Sequence, residues 1–413
     1  MIKRQKPSLN LPFATMGQRD ANNAFQNVGG TVLNSNGTRI NPKGEIETVP
    51  DNQLRIDYDP VTGEAKGPLV EEEKENLVTR SEDISHTSWE KSYTGVSSNA
   101  ILAPNGELAG DKIFSDTTNG SHIIRFGYTF TEGTTYTISA FLKEGEASKV
   151  SLAFGGTTLG GMDFEDRRAE FDLSLGTITH EPAVGKVNIE PFKNGWYRCS
   201  LTLTPLGTDS AHFDVYILND LGDQDYSGDG SSGVYVWGEQ LEVGELASYI
   251  PTNGSSVTRG ADNVYIDGSG FSDFYNDSEG TIFVSGEASN MSEGYFFSIN
   301  ENSTDNRIVH QQYNSGIRFV HNNTNNTQTL VVVNSASDSI NSVSLYTPSK
   351  YSYTLDGKTI NNVALSDGFN NTLSKLDIGK AYNSARYLNG HVKSIIYYPQ
   401  ALPDALLKSL TRP

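Results

Sequence analysis

The stretch that decides the fold is Thr135-Tyr-Thr-Ile-Ser-Ala-Phe-Leu-Lys, in which side chains alternate in character. A period of two residues places every second side chain on one face of a β-strand. The pattern returns in His212-Phe-Asp-Val-Tyr-Ile-Leu and Gly233-Val-Tyr-Val-Trp-Gly, with turn residues between the runs. Repeated alternation of this length and spacing is typical of an antiparallel sandwich or jelly roll.

A second series of alternating runs occupies the C-terminal third of the chain. It includes Thr281-Ile-Phe-Val, Gly294-Tyr-Phe-Phe-Ser-Ile and Val392-Lys-Ser-Ile-Ile-Tyr-Tyr. We predict a second sandwich here. The run Pro403-Asp-Ala-Leu-Leu-Lys-Ser-Leu is the one convincing helical segment, because its leucines share one face.

Composition supports an all-β chain of more than one domain. The chain has 413 residues, more than one hydrophobic core usually organises. Its 20 Tyr and 18 Phe favour folded structure over disorder, and its 40 Gly supply many turns. We therefore predict an N-terminal arm followed by two antiparallel sandwiches.

Residues 1–75 lack the regular alternation of a core. They hold the turn-rich clusters Val28-Gly-Gly-Thr and Asn34-Ser-Asn-Gly-Thr, and one short alternating strand at Leu54-Arg-Ile-Asp-Tyr. Apolar residues are nevertheless spaced through the segment. We predict an extended arm that docks on another protein, with a mobile terminus as the alternative.

Charge and hydropathy exclude several classes of partner. The formal net charge of −19 disfavours binding to phosphate backbones, so we expect no nucleic-acid partner. No window approaches about 18 consecutive apolar residues, so we expect no membrane insertion. Lys3, Arg4 and Lys6 precede no apolar segment, and the N-terminus does not resemble a secretory signal.

No set of residues indicates catalysis. The sequence lacks Gly-x-Ser-x-Gly, His-Glu-x-x-His and Walker motifs, and its seven His show no metal-ligand spacing. The single Cys199 lies in an alternating run, where a buried thiol is favoured over a nucleophile. Asp163-Phe-Glu-Asp is the best local carboxylate group, yet a solvated loop explains it more simply. We expect no enzymatic activity.

One acidic loop has the chemistry of a calcium site. Its side chains belong to the stretch Asp220-Leu-Gly-Asp-Gln-Asp-Tyr-Ser-Gly-Asp-Gly, and carboxylate oxygens are the ligands that calcium prefers. The loop lacks the order of an EF-hand, and a plain hairpin loop is the favoured alternative. The candidate calcium ligands are Asp220, Asp223, Asp225 and Asp229. Calcium is the only cofactor that the sequence suggests.

Aromatic side chains can stack on the apolar face of a sugar ring. Trp196 and Trp237 lie inside alternating strands, where core burial is favoured. Tyr226 lies in the acidic loop, and Trp89 precedes the strand series. We therefore predict Tyr226 and Trp89 as candidate ligand-binding residues.

Several stretches over residues 76–262 resemble the carbohydrate-binding-module-like jelly rolls of bacteriophage tail and virion proteins. They are Asn76-Leu-Val-Thr-Arg-Ser-Glu-Asp-Ile-Ser, Asn194-Gly-Trp-Tyr-Arg, Gly233-Val-Tyr-Val-Trp-Gly-Glu-Gln-Leu-Glu and Ser248-Tyr-Ile-Pro-Thr. The preceding Arg55-Ile-Asp-Tyr-Asp-Pro-Val-Thr-Gly-Glu looks like the lead-in to such a module. The combination is more specific than any single piece.

Residues 263–413 resemble concanavalin A-like, laminin G-like sandwiches, mainly through the ending Leu388-Asn-Gly-His-Val-Lys-Ser-Ile-Ile-Tyr-Tyr-Pro-Gln-Ala-Leu-Pro. Together the resemblances imply a structural or adhesive virion protein, a tail fibre or capsid-attached decoration protein, made in the host cytoplasm. They imply contact with host-surface glycan, attachment to other virion proteins through the arm, and a homo-oligomer, with a trimer by analogy. A secreted or cell-surface carbohydrate-binding protein and a glycan-degrading tail enzyme are the alternatives.

Overall fold

A computed structural model describes residues 5–156, 158–288, 293–303, 306–314, 316–322, 328–334, 339–365, 373–382 and 386–412. The N-terminal segment holds a 3₁₀ turn at Phe13–Thr15 and the helix α1 at Gln18–Asn27. Its strands are β1 Leu9–Leu11, β2 Gly30–Leu33, β3 Thr38–Ile40, β4 Ile46–Thr48, β5 Ile56–Tyr58, β6 Ala65–Val70 and β7 Lys74–Asn76.

The middle of the chain continues with a long series of antiparallel strands and short 3₁₀ turns at Phe164–Arg167 and Lys193–Gly195. These strands are β8 Trp89–Ser92, β9 Thr94–Leu102, β10 Leu108–Ser115, β11 Asn119–Phe130, β12 Tyr136–Lys143, β13 Lys149–Gly156, β14 Arg168–Asp172, β15 Thr177–His180, β16 Lys186–Pro191, β17 Trp196–Leu203, β18 Asp209–Leu218, β19 Asp225–Ser227 and β20 Gly233–Val243.

The C-terminal part adds the short helices α2 at Gly268–Ser272 and α3 at Asp404–Leu410. Its strands are β21 Val257–Arg259, β22 Asn263–Asp267, β23 Gly280–Ala288, β24 Glu293–Asn300, β25 Arg307–Tyr313, β26 Gly316–Asn322, β27 Gln328–Asn334, β28 Ser339–Thr347, β29 Lys350–Leu355, β30 Asn361–Ala364, β31 Lys375–Ile378 and β32 Gly390–Tyr398. No helix in the described part of the chain is long and apolar enough to cross a membrane.

The strands β8 to β20 form one sandwich, which we call the jelly roll. One of its sheets has the order β16-β17-β12-β20-β10-β9, and the other has β15-β14-β13-β18-β11, with β8 and β19 also pairing with β11. Side chains that alternate along β12, β17 and β18 fill the space between the sheets with apolar residues. The predicted all-β fold class is confirmed.

A second sandwich, which we call the composite sandwich, combines both ends of the chain. Its eight-stranded sheet has the order β30-β29-β28-β23-β32-β6-β5, with β1 also on β32. Its other sheet has the order β2-β22-β31-β24-β25-β26-β27. Helix α3 packs on the outer face of the first sheet, where Leu407 contacts the cluster around Phe283.

The extended arm predicted for residues 1–75 is wrong for its described residues. Leu9 and Leu11 pair with Tyr397 and Ile395, so β1 continues a sheet formed by the opposite end of the chain. Phe13 and further apolar side chains of the segment are buried in the core of the composite sandwich. The spaced apolar residues therefore complete an intramolecular core, where their burial from water stabilises the fold.

The N-terminal segment also contacts the jelly roll. The hairpin of β3 and β4 places Ile46 in an aromatic cluster on the outer face of the six-stranded sheet. Trp196 and Trp237 belong to that cluster and are each 1% exposed, as their alternating strands predicted. One stretch of chain thus contacts both sandwiches.

Candidate functional site

Trp89, a predicted sugar-stacking residue, lies in the jelly-roll core. Its ring centroid is 5.6 Å from that of Phe126 and 5.9 Å from that of Phe213. Its Nε1 donates a hydrogen bond of 2.9 Å to the carbonyl of Arg80. Because Trp89 is only 1% exposed, it cannot stack on a ligand without unfolding its surroundings.

Tyr226, the other predicted binding residue, is half-buried rather than displayed at a loop tip. Strand β19 pairs its backbone with Gly120, and its ring lies 4.5 Å from the ring of His122. Burial raises the pKa of Tyr226. The side chain is one part of a local packing contact, and the nearby carboxylate of Asp229 adds to the rise in that pKa.

The acidic loop does not gather its carboxylates around one point. Asp223 accepts from Asn219 Nδ2 at 3.0 Å, Asp225 from the hydroxyl of Ser121, and Asp229 from the backbone of Ser232 at 2.7 Å. Asp220 is exposed. In the described residues no three His, Cys, Asp or Glu side chains are placed to hold a metal ion. Asp229 caps a turn through backbone amides, whereas Asp223 and Asp225 accept from side chains.

A pocket of the described structure lies between the two sandwiches. It has a volume of about 300 Å³, near the lower end for small-ligand pockets. Its walls come from three parts of the chain: the β3-to-β6 region, the jelly-roll strands β16 and β17 with residues 246–249, and the start of β32 beside the end of β23. We call this pocket the cleft.

Most charged side chains of the cleft are already paired. Asp57 accepts from His391 Nε2 at 2.8 Å and from the backbone of Ile40 at 2.6 Å. Lys393, just outside the lining, donates to Glu287. Arg39 binds Glu47 through Nε at 2.8 Å. These pairs hold the walls together, because two of them join neighbouring strands and the pair of Asp57 and His391 joins β5 to β32 across β6.

A buried ionic cluster fixes the floor of the cleft. Arg55 donates to Glu71 at 2.8 Å and to Asp262, and Arg259 lies 3.6 Å from both carboxylates. Ser248 of the jelly roll also donates to Glu71, at 2.8 Å from its backbone. Burial alone raises the pKa of Glu71, but the guanidinium groups of Arg259 and Arg55 outweigh it and hold that pKa far below its usual range.

Arg198 on β17 is the exception among the charged lining residues. It is 7% exposed, and no carboxylate of the described residues lies within 4 Å of its guanidinium group. Its Nη1 donates to the carbonyl of Ala247 at 2.8 Å and its Nη2 to Ser139 at 3.3 Å, whereas Nε has no partner. The group also stacks over Phe141 at 5.4 Å. Burial lowers the pKa of Arg198, while more distant carboxylates oppose that effect.

Two further charged groups of the cleft have no ion pair within the described structure. Lys66 lies on β6, and Glu190 lies on β16 directly opposite Arg198 in the strand register. Burial raises the pKa of Glu190, although Arg198 and Lys66 lower it. The cleft therefore contains two cations and one carboxyl group with unused hydrogen-bonding capacity.

The groups considered for catalysis lie elsewhere. Cys199 is fully buried, and burial raises the pKa of its thiol well above the usual value. His310 is enclosed between Ser342 and Ser344, each 2.8 Å from one ring nitrogen, and is 0% exposed. The loop of Asp163 and Asp166 lies outside the cleft.

Sequence reasoning missed the cleft residues because they come from three distant stretches of chain. The one local signal was the alternation of β17, in which Arg198 falls one residue before the buried Cys199. Its position on the outer face of the sheet follows from that alternation. The cleft residues from the β3-to-β6 region, β23 and β32 could not be inferred in the same way.

No protein-family model matches the chain, and no curated protein sequence matches it. Solved structures give weak similarities. The CBM40 domain of a Ruminococcus gnavus IT-sialidase bound to α2,3-sialyllactose has a TM-score of 0.31 and 15% identity, and the match covers 35% of this chain and 88% of that one.

The receptor-binding domain of botulinum neurotoxin C/D mosaic serotype has a TM-score of 0.30 and 10% identity, covering 36% of this chain and 40% of that one. Domains LG4-5 of the mouse laminin α1 chain have a TM-score of 0.24 and 11% identity, covering 70% and 90%. Similarities at this level do not establish a ligand, so the fold assignment rests on the sheets described above.

Proposed function

We propose that this protein is a non-enzymatic structural and adhesive component of a bacteriophage particle, as a tail fibre or capsid-attached decoration protein, that contacts host-surface glycan through the cleft. The supporting observation is the composition of the cleft walls. Amide, hydroxyl, carboxyl and guanidinium groups surround the apolar side chains of Phe192 and Leu246. Sugars need this combination, because their hydroxyls form hydrogen bonds while their C–H faces prefer apolar contact.

Contacts with other virion proteins and a homo-oligomeric state, with a trimer as one form, belong to the same proposal. The attachment surface differs from the one expected from sequence, because the apolar residues of the N-terminal segment are buried in the composite sandwich. A particle partner must therefore bind exposed residues. Incorporation of chains with surface substitutions into particles is the measurement that would locate this contact.

A glycan-degrading enzyme is the second candidate, and one observation favours it. Glu190 is an unpaired carboxyl group with a raised pKa, as general acids of glycosidases have. Asp57 and Glu287, the carboxylates across the cleft, are each already paired with a cationic or imidazole partner. We therefore favour binding without hydrolysis.

Incubation of the purified chain with host-surface polysaccharide tests the proposal. Reducing ends and bound polysaccharide are measured in the same samples, with heat-denatured protein as the control. We expect retention of polysaccharide without release of reducing ends. Release that is lost in Glu190→Gln would establish the enzyme instead.

A further inference from the structure

We propose that the cleft selects a sugar unit carrying one negative charge, such as a uronic acid or a monosulfated sugar. This inference rests on the proposed glycan contact and names the class of glycan. It starts from Arg198, a residue that is 7% exposed and that lines the cleft without an ion pair among the described residues.

A buried cation without a counter-ion is costly, because desolvation penalises the charged form. Arg55 in the neighbouring ionic cluster shows the usual solution, with two carboxylates bound to one guanidinium group. Arg198 has only neutral oxygen acceptors, the carbonyl of Ala247 and the hydroxyl of Ser139. An anionic ligand group in the cleft would supply the missing counter-charge.

Lys66 gives a second, independent reason. It lines the same cleft from β6 of the composite sandwich, and likewise has no ion pair in the described structure. Glu190 is the only unpaired carboxyl group of the described lining, and its pKa is raised. Glu242 also acts on Arg198, but from outside the lining and without an ion pair within 4 Å. Within the lining, two cations without an ion pair face one such carboxyl group, which leaves room for one further negative charge.

The size of the cleft limits the ligand. About 300 Å³ suits one or two sugar rings rather than a long chain segment. Asn389 contributes an amide group to the lining, which suits ring hydroxyls. The anionic group and the ring hydroxyls of a single sugar unit can therefore be contacted together.

Calorimetric titration of the full chain at physiological ionic strength tests this inference. The probes are methyl glucuronide, glucose 6-sulfate and methyl glucoside, which differ in the presence and kind of the negative group. We expect at least one anionic probe to bind about tenfold more tightly than the neutral glucoside, as one charge-assisted hydrogen bond would give. The two anionic probes distinguish a carboxylate from a sulfate ligand.

Three variants place the binding in the cleft. Lys66→Gln should weaken binding of the anionic probe about tenfold, whereas Glu190→Gln should strengthen it several-fold because a competing negative charge is removed. Lys408→Gln is the matched control, since it removes an exposed positive charge on α3, beyond the far end of β32, and should leave affinity unchanged. Arg198→Gln should abolish the preference where the variant folds.

The outcomes separate this inference from the proposed function. Equal binding of all three probes in the cleft would overturn the charge selectivity and leave glycan contact standing. Anionic binding that Lys66→Gln and Glu190→Gln do not change would also overturn it, because the ligand would lie elsewhere. Failure of these probes together with failure of host polysaccharide to bind would contradict both proposals.

Discussion

The jelly roll is built from one continuous stretch of chain, whereas the composite sandwich is assembled from both ends. Strands β8 to β20 complete the jelly roll on their own, but β1, β2, β5 and β6 must return to the strands after residue 262. The comparison shows that local alternation reveals a domain whose strands are near in sequence. Local alternation does not identify strands that complete a sheet formed by distant parts of the chain.

The two sandwiches also differ in their balance of buried carboxyl and imidazole groups with shifted pKa values. The jelly roll buries carboxyl groups, among them Asp214, for which burial raises the pKa to about 7, and Glu239, for which burial raises it well above the usual value. The composite sandwich buries imidazoles, His310 and His321, and burial lowers both pKa values, that of His321 to about 4. The two units should therefore respond to acid in opposite directions.

The largest effect is expected from deleting residues 1–53. This removes α1 and the strands β1 to β4, so the core of the composite sandwich loses Leu11, Phe13 and Phe25. We expect the composite sandwich to lose cooperative unfolding while the jelly roll keeps it, as hydrogen exchange on the two units would report. Two intact units after the deletion would show that the N-terminal segment is an independent arm.

The second effect concerns the ionic cluster beneath the cleft. Glu71→Gln leaves Arg55 and Arg259 short of one counter-charge, and breaking a buried ion pair costs about 3–5 kcal/mol. Chemical denaturation should show this loss in the composite sandwich. Lys186→Gln, in an ion pair whose side chains are 59% and 42% exposed, is the control and should cost less than about 1 kcal/mol.

The third effect is the opposite response to acid. A folded-state imidazole pKa below the ordinary value means that the unfolded state binds protons more readily, so the composite sandwich should lose stability as the pH falls from 6.5 to 4. A raised carboxyl pKa acts the other way, so Asp214 should stabilise the jelly roll increasingly as the pH falls from 7.

Differential scanning calorimetry at several pH values would measure both trends, each about 1–2 kcal/mol. His212 in the jelly roll and Asp377 in the composite sandwich have shifts of the opposite sense and reduce the contrast. His310→Gln should flatten the trend of the composite sandwich alone. Parallel trends in the two units would contradict the assignment.

The smallest effect is expected for calcium. Three of the four aspartates of the acidic loop, Asp223, Asp225 and Asp229, already have separate hydrogen-bond partners. Added calcium should change the unfolding temperature no more than added magnesium does. A specific rise requires an ion that binds to the native state. A calcium-specific rise that Asp223→Asn removes would restore the predicted site.

The sequence predicts the strands of the jelly roll and the helix α3 well, because their patterns are local. It does not predict α1, since Gly17 offers no capping side chain and only Ala21, Asn22 and Phe25 of the helix are buried. The role of residues 1–75 was also missed. Turns separate the apolar residues of this segment. These residues come to lie on one face only when their strands join a sheet that is distant in sequence.

The candidate site was less predictable than the fold. Trp89 and Tyr226 were chosen for residue type, but exposure depends on neighbours that a linear pattern does not give. The four aspartates are close in sequence, yet hairpin geometry turns their side chains to separate partners. Arg198 and Lys66 are 132 positions apart, so their shared cleft follows only from packing of the two sandwiches.

The central claim is that the cleft between the sandwiches contacts glycan. Crystals of the full chain soaked with an oligosaccharide from the host surface would test it most directly. We predict electron density for a sugar unit in the cleft, within hydrogen-bonding distance of Arg198 or Lys66. A sugar bound only at the loops of the jelly roll, with the cleft unchanged, would contradict this account.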